Sequence, residues 1–153
     1  MRVLKILRPA NWELTLPKQS GEFATIAPAA GVTGKGIGYG VLVNGVPAQP
    51  GARVNIDDIT ARIVNQMEQS SGLQPDGNPQ AITAGGMEGR SVMMHSASPF
   101  PSANGEPQIE RDWLVTLPQR DGSVILMIFV APQAEYGQFQ GTYEEMLKSV
   151  QFP

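Results

Sequence analysis

Apolar and polar residues alternate along most of this chain, and twice the period lengthens to that of a helix. Trp12, Leu14 and Leu16 alternate with Glu13 and Thr15, the period-two pattern of a half-buried strand over residues 12–16. Residues 2–7 read as a first strand, joined to it by the turn Pro9-Ala10-Asn11. Residues 23–28 predict a third, paired back through 18–22, and residues 39–46 a fourth, with Tyr39, Val41 and Val43 on one face and Leu42 on the other. Residues 31–38, with glycines at 31, 34, 36 and 38, read as a flexible loop tip. Ile56, Ile59, Ile63, Val64 and Met67 follow the 3–4 spacing of an amphipathic helix. Asn55 can cap it, Asp57 and Asp58 favour its positive end, and Gly72 can close it.

The second half reads as a strand meander. Residues 80–84 and 90–96 flank the glycines at 85, 86 and 89, and 98–107 form a Pro/Ser/Gly loop. Residues 109–117 and 123–130 make a hairpin around Pro118–Gly122. In its first strand Ile109, Trp113, Val115 and Leu117 share a face with Arg111, while Glu110, Asp112 and Thr116 share the other. Residues 124–130, Val-Ile-Leu-Met-Ile-Phe-Val, are apolar on both faces, so this strand is central and covered on both sides. Tyr136, Phe139, Tyr143, Met146, Leu147 and Val150 space a second helix over 135–150. Repeated βα units are absent. The expected fold is α+β: one domain spanning 1–153, an antiparallel β-sheet flanked by two helices in an α/β/α sandwich.

Composition narrows the chemistry. With no cysteine and one histidine, His95, the chain holds no disulfide, thiol nucleophile, thiolate zinc site or two-histidine metal site. Only 16% of residues are charged and the net charge is −3, which is not the footprint of a nucleic-acid binder. No run reaches the ~20 apolar residues of a membrane span, so membrane insertion is not expected. Residues 1–9 do not read as a signal peptide, because Lys5 and Pro9 interrupt the apolar stretch.

The motifs that invite a catalytic reading fail in detail. Gly34-Lys35-Gly36-Ile37-Gly38-Tyr39-Gly40 has Tyr39 where a dinucleotide fingerprint needs its last glycine, and it leads into a strand. His95 lies beside Ser96 and Ser98, and Asp112 could complete a triad, but neighbours on a strand point to opposite faces. An exposed or hydrogen-bonded structural histidine is the expectation. Asp57-Asp58 reads as helix-end charge and Glu144-Glu145 as solvated surface. Glu110-Arg111-Asp112 reads as a solvated strand or an interaction edge, and Met87, Met93 and Met94 as core filling.

Several segments together resemble a known group: Pro9-Ala10-Asn11-Trp12, Gly89-Arg90-Ser91, Ser98-Pro99-Phe100, Asp-Trp-Leu-Val-Thr at 112–116, Phe-Val-Ala-Pro at 129–132 and Ser-Val-Gln-Phe at 149–152. The chain is similar to the accessory domain found C-terminal to secreted bacterial HtpX-like zinc metallopeptidases, a domain of PsbP-like fold. That fold group also includes the Ran-binding Mog proteins. The resemblance implies a non-catalytic module excised from a longer exported chain, periplasmic or secreted. It would have no cofactor or metal of its own, and its partner would be another protein or the parent peptidase domain. The peptidase motif His-Glu-x-x-His has no counterpart here, so no catalytic residue is carried over. The candidate interaction surface comprises Lys35 and Tyr39 in the glycine segment, Phe100 in the 98–107 loop, and His95, Glu110 and Arg111 on the strands. Three other readings stay open: a free-standing periplasmic or lipoprotein binding module, a small hydrolase using His95, and a GTPase partner of the Mog kind.

Overall fold

A computed structural model describes residues 4–34, 36–48, 51 and 55–153. Its strands are β1 (Glu13–Thr15), β2 (Ala24–Ala27), β3 (Val32–Thr33), β4 (Gly36–Ile37), β5 (Gly40–Val46), β6 (Gln74–Pro75), β7 (Gln80–Ala84), β8 (Met87–Ala97), β9 (Ile109–Pro118) and β10 (Val124–Pro132). The helices are α1 (Ile56–Ser71), between β5 and β6, and α2 (Tyr136–Lys148), after β10. Eight strands form one antiparallel sheet in the order β1-β2-β5-β10-β9-β8-β6, with β7 pairing the other half of β8. β3 and β4 form a separate hairpin.

The doubly apolar strand sets this arrangement. Every residue of β10 is buried, and it lies between β5 and β9 with a helix layer on each face. Ile125, Met127, Phe129 and Ala131 join Tyr136, Tyr143, Met146 and Leu147 in one core layer. Leu126, Ile128 and Val130 point the other way, into a layer with Ile63, Leu73, Val92 and Leu114. The expected α/β/α sandwich is therefore the observed one.

The helix ends follow the sequence signals. The Asn55 side chain accepts from the Asp57 and Asp58 amides at 3.1 Å, and Gly72 closes α1 in the left-handed region at φ 70°. Thr60 on α1 meets Thr116 on β9 through a buried 2.7 Å hydroxyl contact, and Asp57 pairs with Arg90 of β8 at 2.7 Å. Together these hold α1 across β8 and β9. On the other face, the Tyr143 hydroxyl donates to the Val130 carbonyl at 2.6 Å and accepts from the Gly40 amide at 3.0 Å, joining α2 to β10 and β5.

Three expectations are corrected. The described part of 2–7 is not a sheet strand: Lys5 bridges only Gln151, and Leu7 N donates to Ser149 Oγ, so the segment is tied to the end of α2. Leu4 and Ile6 pack onto the α2-side core there, and residues 2 and 3 lie outside the described residues. The glycine segment is no free loop tip. It forms a 3-10 turn (Ala29–Gly31) and the β3–β4 hairpin, and its glycines allow close packing. A Cβ on Gly31 would meet the Tyr39 carbonyl at 2.5 Å, and one on Gly38 would overlap the Phe100 ring. Finally, Leu14 and Leu16 are exposed although they alternate in phase with buried Trp12. Trp12 packs on Phe139 and Tyr143 of α2, and the cover that helix provides ends there.

Candidate binding site

β8 and β9 pair with Ser96 opposite Glu110 and Met94 opposite Asp112, and all four side chains face the α1 layer. Nearer the start of β8 that face is sealed by α1. Beyond the helix end a cavity of about 430 Å³ remains, with the β3–β4 hairpin and Ser98-Pro99 at its margin. Phe23, Ile37, Leu42, Met67, Leu73, Ile128 and Val130 make apolar walls, and Ser96, Glu110 and Asp112 supply the polar groups. Glu110 is 9% and Asp112 3% exposed. Ser96 Oγ donates to Glu110 Oε1 at 2.9 Å, while Glu110 Oε2 and Asp112 Oδ2 receive no donor from the rest of the described protein.

Loss of hydration disfavours the charged forms here. Burial pushes the Glu110 carboxyl above its usual range. Burial, and then the neighbouring Glu110 charge, push Asp112 up to about 8. Asp112 therefore largely keeps its proton at neutral pH, and the two carboxyls hydrogen-bond each other.

Glu110 and Asp112 are thus corrected from a solvated strand to a buried pair. The decisive signal was present in the neighbouring strand. Asp112 is paired with Val130 and Glu110 with Pro132, on a β10 that is apolar on both faces. On the α1 face the cover over Val130 extends to Asp112 beside it.

The other expected surface residues fall into two groups. Tyr39 and Phe100 are half-buried with ring centroids 6.2 Å apart, and Tyr39 also packs on Phe139 at 5.2 Å. His95 and Arg111 are cross-strand partners on the sheet face opposite Glu110, where they line a shallow depression with Asp76. His95 Nδ1 lies 2.5 Å from Asp76 Oδ1, and the side chain is 39% exposed, so the histidine is both hydrogen-bonded and open to solvent. His95 and Ser96 do point to opposite faces, so the imagined triad with Asp112 is not assembled. Lys35 lies outside the described residues. Met94 is fully buried, and Met87 and Met93 are half-buried.

A second concavity escaped the sequence pattern. Residues 4–8, β1, β2, β5 and the segment after α2 enclose a groove of about 820 Å³. Leu4, Ile6, Leu14, Leu16, Ile26 and Val43 line it, with Lys5, Arg8 and Glu22 also present. Leu7, Leu14 and Leu16 are 75%, 50% and 68% exposed along it. Among the described residues no three acidic or histidine side chains converge to hold a metal, and no helix is long and apolar enough to cross a membrane.

No protein-family model and no curated protein sequence matches the chain. Solved structures do. Cyanobacterial PsbP (CyanoP) from Synechocystis aligns over 100% of this chain and 94% of its own, with a TM-score of 0.63 at 10% identity. The fold is PsbP-like. LpqN of Mycobacterium tuberculosis, described as involved in cell envelope biogenesis, aligns over 98% of this chain and 83% of its own, with a TM-score of 0.51 at 15% identity. A Bacteroides thetaiotaomicron protein gives 0.52 at 7% identity, with this chain spanning 45% of it. Identities this low establish the PsbP-like architecture, and a fold of this kind hosts unrelated activities.

Proposed function

We propose that this chain is a non-catalytic accessory module of an exported bacterial protein, C-terminal to a zinc metallopeptidase domain, and that it docks an apolar protein segment in the groove beside β1. One observation carries the docking reading: three exposed leucines share a groove of about 820 Å³ that nothing in the described chain covers. Clustered apolar exposure marks interaction surfaces, whereas scattered apolar residues do not. Full burial of a leucine is worth about 1.5–3 kcal/mol, so covering what these three expose supplies a few kcal/mol. β1 also ends the sheet, so an extended segment can pair along its outer edge while its side chains enter the groove. The parent domain is supported by the segments at 9–12, 89–91, 98–100, 112–116, 129–132 and 149–152 that resemble the peptidase-associated module.

A second reading is a free-standing envelope binding module of the same fold, favoured by the likeness to LpqN. The parent reading frame separates the two. His-Glu-x-x-His upstream is expected under the first, and a signal peptide with a lipobox cysteine under the second. For the first reading, the peptidase domain expressed separately should bind this chain, and Leu14→Glu with Leu16→Glu should abolish binding. Undiminished binding by that double variant would refute docking at the groove.

A further inference from the structure

We infer that the segment received by the leucine groove is acidic: an apolar stretch flanked by glutamate or aspartate, whose carboxylates meet Lys5 and Arg8 at the groove wall. This rests on the docking reading above and names the chemistry of the partner. Lys5 and Arg8 line the groove with Leu14 and Leu16, and both cations are exposed. Among the described residues neither forms an ion pair. The wall that carries them is held in place. Lys5 and Gln151 exchange backbone hydrogen bonds at 2.8 and 2.9 Å, Leu7 N donates to Ser149 Oγ at 2.8 Å, and the Arg8 guanidinium donates to the Trp12 carbonyl. That bond uses one of the five guanidinium N–H groups of Arg8. The nearby carboxylates are engaged or turned away. Glu22 accepts from the Lys18 and Gln19 amides at 3.0 and 3.2 Å, and Glu13 alternates with Leu14 onto the other sheet face.

Charge along the chain points the same way. Residues 1–18 carry four of the eleven cations and one of the fourteen carboxylates, a net +3, while the rest of the chain carries −6. Positive charge thus gathers in the part of the chain that builds the groove, and it selects among occupants. A second copy seated through the same surface would bring Lys5 and Arg8 against the same cations, and like charges oppose association. An anionic bilayer matches the charge but not the shape. Leu14 and Leu16 line a concavity, and a bilayer offers no backbone groups to β1, which ends the sheet. A protein segment supplies all three: apolar side chains for the groove, backbone groups for the edge and carboxylates for the cations. Exposed ion pairs are individually weak, so the leucines supply the affinity and the cations supply the selectivity.

The test is fluorescence anisotropy of the full chain with three labelled peptides. They share a Val-Thr-Val-Thr-Val core and differ in carrying two glutamates, two glutamines or two lysines at each end. At low salt the expected order of affinity is glutamate, glutamine, lysine, with at least tenfold between first and last. High salt should collapse that spread, because it screens exposed charges. Lys5→Glu with Arg8→Glu should reverse the order. Lys5→Gln alone, which keeps the Arg8 bond to Trp12, should cut the advantage of the glutamate peptide at least twofold. Equal affinities for the three peptides, all lost in Leu14→Gln with Leu16→Gln, would overturn the acidic partner and leave docking at the groove standing. Failure of all three to bind would overturn the docking reading and the acidic partner together. A glutamate preference that survives Leu14→Gln with Leu16→Gln would overturn the inference, as would binding to phosphatidylglycerol vesicles in preference to every peptide.

Discussion

Replacing Asp112 by asparagine should stabilise the protein, and by more as the pH rises. Asp112 is 3% exposed and its carboxyl is held up to about 8 by burial and by Glu110. In the unfolded chain it titrates near the ordinary aspartate value of about 3.9. Between those two values the folded protein holds a proton that the unfolded chain has released. Stability is therefore fully present below about pH 4 and falls as pH rises toward 8, by about 1.4 kcal/mol per pH unit from this group. Asparagine keeps the shape, donates to the Glu110 carboxylate and removes the titration. Urea denaturation of both proteins from pH 5 to 7.5 isolates the effect of the Glu110–Asp112 pair, because the titrating groups outside it are common to the two. The variant should gain about 3 kcal/mol relative to the parent across that interval. A difference in unfolding free energy that stays flat with pH would refute the buried, protonated pair.

The remaining predictions concern the frame around the sites. Tyr143→Phe removes a hydroxyl that bonds both Val130 and Gly40 and strands a buried amide, so chemical denaturation should show a loss of about 1–3 kcal/mol. Gly89→Ala places a Cβ 1.8 Å from the Thr116 carbonyl in the paired strand, where no side-chain rotation can make room. Thermal denaturation should show a loss of about 3 kcal/mol or more. Asn55→Ala deletes the cap of α1 and should cost about 1 kcal/mol in the same assay. Leu14→Glu with Leu16→Glu should leave unfolding free energy within about 0.5 kcal/mol of the parent, since both side chains are exposed.

The layers of the fold were legible because they rest on period. Seven consecutive apolar residues at 124–130 require a central strand with cover on both faces, and the stripes at 56–67 and 136–150 supply the two covers. The resemblance to PsbP-like domains pointed to the same architecture. The binding features were not legible, because each depends on where cover stops. Alternation places Leu14 and Leu16 in phase with Trp12, yet only Trp12 lies under α2. Glu110 and Asp112 look solvated when their strand is read alone. Their burial follows only from the pairing with Pro132 and Val130. The glycines at 31 and 38 looked like flexibility in sequence and prove to be points of close packing, because Tyr39 and Phe100 come against them.

Photo-crosslinking within the full-length protein, from a photoreactive residue placed at position 16, tests docking in the groove most directly. The same residue at Gln138, on the exposed side of α2, serves as the control. Position 16 should crosslink to the proposed parent peptidase domain, position 138 should not, and Leu14→Glu should abolish the product. Equal crosslinking from both positions, or none from position 16, would contradict the proposed docking surface.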